Sequence, residues 1–123
     1  MALKLKFAPK GSYRTRVTVL VPQDLGKSER CEFTVEFKRL TVSEYRALVA
    51  DTVTGAAADE DIDQRLLSAV IIGWDGLLDD AGQPVPFSAE NLAAVLDVLC
   101  YRHALREKFY EGMRNPAELM RKN

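Results

Sequence analysis

Residues 69–87 read AVIIGWDGLLDDAGQPVPF, and the fold turns on how this stretch is divided. Its first residues continue the apolar spacing of Ile62, Leu66, Leu67, Val70 and Ile71. That spacing predicts a helix over about 59–73 that carries Trp74, the single tryptophan, on its apolar face. Gly73 and Gly76 bracket Trp74 and Asp75 where the helix should end, because glycine takes left-handed conformations at no steric cost. Asp79-Asp80-Ala81-Gly82 is turn chemistry, and Pro84 and Pro86 hold Val85 extended between them. The segment is therefore expected to be a structured loop or short irregular hairpin.

Toward the N-terminus the periodicity changes to two. Val17, Val19 and Val21 alternate with Arg16, Thr18 and Leu20, and Cys31, Phe33, Val35 and Phe37 alternate with Glu32, Thr34, Glu36 and Lys38. Two strands joined by PQDLGKSE form an antiparallel hairpin, in which Arg14 and Arg16 face Glu32 and Glu36. Leu3, Leu5 and Phe7 offer a short third strand at an edge, ended by Pro9 and Gly11. Thr41 or Ser43 caps a helix near 41–50, with Glu44 in its first turn and Tyr45, Leu48 and Val49 facing the sheet. Thr54 to Ala58 is a connector, and Asp59, Glu60, Asp61 and Asp63 crowd the start of the following helix.

Toward the C-terminus Ser88 caps a helix near 88–100, whose Leu92, Val95, Leu96 and Leu99 form one stripe. A bend near Cys100 leads into a helix near 101–113 through Tyr101, Leu105, Phe109 and Met113, ending toward Gly112. Asn115 and Pro116 then begin a short helical turn. The expected architecture is a single α+β domain over 1–123: an N-terminal antiparallel hairpin of two or three strands packed against a C-terminal set of about four helices.

A chain of 123 residues buries roughly two-thirds of its unfolded surface, so it can build a real core. Seventeen basic and eighteen acidic side chains leave no excess positive charge to attract a polyphosphate backbone, which argues against nucleic acid as partner. No apolar run is long enough to cross a bilayer, and MALKLKFAPK lacks the apolar core of a secretory signal, so a soluble cytoplasmic protein without a membrane partner is expected. Cys31 and Cys100 are then expected to stay reduced, as small buried residues.

The residues offer little chemistry. His103, the single histidine, follows Cys100 by three, but no orienting group or oxyanion site accompanies the pair. Two such ligands do not close a zinc site. Asp75, Asp79 and Asp80 miss the spacing of a calcium loop, and Gly73, Gly76 and Gly82 miss the phosphate-loop and dinucleotide spacings. Turn-forming aspartates and turn glycines explain both sets. No catalytic residue, cofactor or metal is therefore assigned, and the chain is expected not to be an enzyme. Trp74 is either an interface hot spot or a plug of the core, and its position on an apolar helix face favours the core. The mixed helix from Tyr101 to Met113 is either a partner surface or a solvated face.

Three runs taken together, Phe33 to Leu40 (FTVEFKRL), Ile72 to Leu77 (IGWDGL) and Asp80 to Ser88 (DAGQPVPFS), with the terminal Lys122-Asn123, resemble the tail assembly chaperones of long-tailed bacteriophages and prophages. Within them Phe37, Gly73, Asp75, Gly76, Gly82, Pro86 and Phe87 are positions of fold and turn rather than of catalysis. The resemblance implies a non-enzymatic protein of the bacterial host cytoplasm, absent from the finished virion. Such a protein binds the tape measure protein, keeps it soluble and helps tail tube subunits polymerise around it. A longer form made by programmed frameshifting, which would reach the tail tube protein, and self-association both belong to that expectation. Helices from Leu92 to Met113 would supply an apolar groove, with Trp74, Tyr101, Leu105, Phe109 and Met113 as contacts, and charges at Phe109 and Met113 would spare the fold. Adenine-rich codons for Lys122 and Asn123 would provide the slippery site. The competing expectation is a structural tail component, a terminator or connector, that stays in the particle and closes rings through its sheet edges.

Overall fold

The computed structural model describes residues 11–50 and 58–113. The edge strand expected at Leu3 to Phe7, most of the connector at 54–58, the helical turn at Asn115 and the terminal Lys122-Asn123 lie outside them.

The elements run β1 (Ser12–Pro22), β2 (Ser28–Lys38), α1 (Val42–Ala50), α2 (Ala58–Val70), β3 (Ile71–Asp75), α3 (Ala89–Leu96) and α4 (Leu99–Met113). The sheet is antiparallel in the order β1-β2-β3, and the fold is α+β. Alternation sets the hairpin as expected: Val17, Val19, Phe33, Val35 and Phe37 are all buried on one face. On the other face Arg14 lies opposite Glu36 at 3.8 Å, and Arg16 reaches diagonally to Glu32 at 3.5 Å. The hairpin loop is shorter than expected, because a 3-10 turn at Asp24–Gly26, closed by Gln23 N–H donating to the Lys27 carbonyl at 2.8 Å, lets the strands run on to Pro22 and Ser28.

The helix expected over 59–73 stops at Val70, and this is the main correction. Ile71 to Asp75 is instead a strand whose backbone completes the ladder along β2, with Phe37 opposite Ile71 and Val35 opposite Trp74. A one-residue irregularity between Glu36 and Phe37 places Ile72 outside the regular register. Gly73 is consequently a strand residue opposite Glu36 and not a helix cap. The neighbouring strands β2 and β3 are thus separated in sequence by the whole of α1 and α2.

The apolar face of the sheet packs against Leu66, Leu67 and Val70 of α2, Leu92 and Leu96 of α3, and Leu105 and Phe109 of α4. Phe109 meets Phe37 edge-on with ring centroids 5.4 Å apart. Where α4 crosses β1, a Cβ on Gly112 would lie 2.6 Å from Tyr13 Oη, so glycine lets the helix close on the strand. Gly112 lies in the last turn of α4, which ends at Met113 as expected. Polar contacts fix the helices to one another: Arg106 Nε donates to Asp63 Oδ1 at 3.0 Å, Arg102 Nη2 to Gln64 Oε1 at 2.6 Å, and the Tyr45 and Tyr110 hydroxyls are 3.2 Å apart.

The helix expected near 88–100 ends at Leu96, and Leu99 opens α4, where it is exposed rather than part of the α3 stripe. Arg102 closes this junction, its Nε donating to the Leu96 carbonyl at 2.8 Å.

Candidate protein-binding surface

The segment after β3 is built from turn chemistry. Gly76 turns the chain at φ 83, a value that side chains resist. A small hairpin follows, with Val85 N–H donating to the Leu77 carbonyl at 2.8 Å and Asp79 N–H to the Gln83 carbonyl at 2.9 Å. The Asp79 carboxylate accepts from the Ala81 and Gln83 amides, each at 2.9 Å, and Gly82 supplies φ 77. Asp79 is therefore a turn former, as its spacing suggested, while Asp75 and Asp80 are exposed.

Two anchors hold this hairpin against the body of the protein. Trp74 Nε1 donates to the Val85 carbonyl at 2.7 Å, and the indole meets Phe87 edge-on at 4.9 Å. Asn91 Nδ2 donates to the Pro86 carbonyl at 2.8 Å, while Ser88 caps α3 by accepting from Asn91 N–H at 3.0 Å. Trp74 is half-buried and packs against the core, from β3 rather than from the expected helix, and from there it also pins the hairpin.

The pinned hairpin and α3 enclose an open apolar groove of about 240 Å³, lined by Leu77, Leu78, Val85, Val95, Val98 and Tyr101 among others. Leu77 is buried, whereas Leu78 and Val98 are 56% and 46% exposed, so the groove walls offer apolar area to solvent. Beside it lies a polar cleft of about 550 Å³ that shares Leu77, Leu78 and Tyr101 and carries Glu29, Arg30, Glu32, Asp79 and Asp80. Burial, and then a hydrogen bond with the Cys31 side chain, pushes the Tyr101 phenol up to about 12, so the ring stays neutral at the boundary of the two.

The five residues expected to contact a partner do not come together. Tyr101 lines the groove, and Trp74 supports it through Val85. Leu105 and Phe109 are 0% and 2% exposed and belong to the core. A charge at Phe109 would be buried without a partner and would destabilise the fold by several kcal/mol, so it cannot serve as a surface probe. Met113 is exposed, but it lies twelve residues beyond Tyr101 on α4, about 18 Å along the axis. The groove residues that the spacing did not single out are Leu77, Leu78, Val85 and Val98. Leu77-Leu78 immediately after a turn, and Val98-Leu99 at a helix junction, were the available signals.

Among the described residues, no group of three or more His, Cys, Asp and Glu side chains is placed to hold a metal ion. Cys100 is half-buried as a free thiol, and His103 is exposed beside Asp97 and Arg102. No described helix is long and apolar enough to cross a membrane.

Comparison with known proteins gives one assignment. No curated protein and no solved structure matches the chain. A family model described as YdaY prophage protein matches residues 28–121, a span that takes in β2, the pinned hairpin and both groove-forming helices. With more than half of its length matched, the chain belongs to the YdaY prophage protein family.

Proposed function

We propose that this prophage protein is a non-enzymatic tail assembly chaperone that binds the tape measure protein in the host cytoplasm, keeps it soluble and promotes tail tube polymerisation around it. The observation that carries the reading is the apolar groove between the pinned hairpin and α3, which leaves Leu78 and Val98 outside the core. A long helical client held soluble before its tube subunits arrive needs an apolar receptor that does not read one fixed sequence, and such a groove meets that need. Two of the runs that resemble the chaperones, Ile72 to Leu77 and Asp80 to Ser88, contribute Leu77 and Val85 to its hairpin wall.

The test is co-expression of this chain, and of any longer frameshifted form, with the tape measure protein encoded beside it. The expected result is a soluble tape measure protein that co-purifies with the chain, lost when Leu78→Asp and Val98→Asp are introduced together. An insoluble tape measure protein with both forms, joined to detection of this chain in purified virions, would replace the reading with that of a structural tail component.

A further inference from the structure

We infer that the groove takes an amphipathic helix whose apolar stripe is flanked on one side by lysine or arginine. This deepens the chaperone reading and rests on it for the source of the helix. Among the described residues, no charged side chain lines the apolar groove, so it suits the stripe of a helix with leucine or methionine at every third and fourth position. The adjoining cleft is asymmetric in charge. Among the described residues that line it, Glu29, Glu32, Asp79 and Asp80 stand against Arg30, and Arg30 itself leans on Glu32 at 4.0 Å.

Glu32 is further occupied by Arg16, and Asp79 by two backbone amides. Glu29 and Asp80, both exposed, are therefore the carboxylates best placed to meet cations arriving on a helix flank. Because Leu77, Leu78 and Tyr101 border both clefts, a helix seated on the apolar side brings one of its flanks over the acidic side. A helix flanked by carboxylates would meet like charge there and bind less well.

Trp74 supplies the signal for a test, since its indole is bonded to Val85 and Val85 lines the groove. Two synthetic helical peptides of about 18 residues, identical in their leucine stripe and carrying lysines or glutamates on one flank, are titrated against the full chain by tryptophan fluorescence. The lysine peptide is expected to bind about tenfold more tightly, with the difference shrinking as salt rises. The double variant Glu29→Lys, Asp80→Lys should abolish or invert that preference, and Leu78→Asp should remove binding of both peptides while circular dichroism shows the fold intact.

Equal affinity for the two peptides, or a preference unchanged by the charge reversal, would overturn the inference. So would a folded Leu78→Asp variant that binds normally. Failure of both peptides, with a dimer in sedimentation that Leu78→Asp dissociates, would assign the groove to a second copy instead. Selective peptide binding with an insoluble tape measure protein would leave this inference standing and remove the chaperone reading, and the reverse pattern would do the opposite.

Discussion

Trp74 joins three parts of the protein through one side chain: β3, to which it belongs, the Val85 carbonyl, and the Phe87 ring. Phenylalanine at this position would retain much of the apolar area but leave the half-buried Val85 carbonyl without its donor. We expect Trp74→Phe to lower unfolding free energy by about 1–2 kcal/mol in urea, a lost hydrogen bond to a half-buried acceptor together with weakened aromatic contact. Peptide binding in the groove, followed with an extrinsic label, should weaken as well, because the hairpin wall loses its anchor. Alternation at single residues made the inward positions of β1 and β2 readable in advance, since Val17, Phe33, Val35 and Phe37 each lie between two polar residues. Trp74 had no such frame. It was expected on the apolar face of a helix, whereas it sits half-buried on a strand, and its hydrogen bond runs to a carbonyl eleven positions away, a pairing that nothing local in the sequence specifies.

At the scale of elements, α3 shows how much a cap contributes, because an eight-residue helix has few internal hydrogen bonds to spare. Ser88→Ala should cost about 1 kcal/mol in thermal or urea unfolding, and Ser88→Asp should recover most of it by accepting from the same amide. The cap at Ser88 was legible, and that of α1 was narrowed to Thr41 or Ser43, because capping chemistry is local: Thr41 and Glu44 exchange hydrogen bonds at 2.9 and 3.1 Å, as their spacing of three allows. β3 was not legible. Ile71 and Trp74 are three apart and continue the stripe of α2, so helical spacing runs two elements together, although adjacent Ile71-Ile72 followed by glycine also suits a strand. The α3–α4 junction lacks glycine or proline, and the Arg102 side chain that closes it comes from the following helix. The groove stayed hidden for the same reason, since its walls come from a hairpin and a helix whose relative placement depends on where β3 begins.

At the scale of the whole molecule, two half-buried phenols set an alkaline limit. Tyr101 is raised to about 12, chiefly by burial, and Tyr110 is also raised by burial and by its hydrogen bond with Tyr45. An unfolded chain releases these protons near about 10, whereas the folded one keeps them longer. The stability tied to the neutral phenols is fully present below about 10 and is lost as pH climbs toward the folded values. Melting temperature should therefore fall between about pH 10 and 12, and Tyr101→Phe should flatten that fall when it is followed by circular dichroism.

The separation of β2 from β3 by two helices has a practical meaning. A cut between α1 and α2 would leave β1, β2 and α1 on one polypeptide and α2, β3, α3 and α4 on the other. Val17, Val19, Phe33, Val35 and Phe37 would be on the first, and every remaining member of the core cluster on the second. Each piece would expose its half of the apolar interior, and their union would restore both the β2–β3 ladder and the core. The division offers a split reporter: the groove lining lies wholly on the second fragment, so peptide binding would report whether the first fragment has docked and completed its sheet.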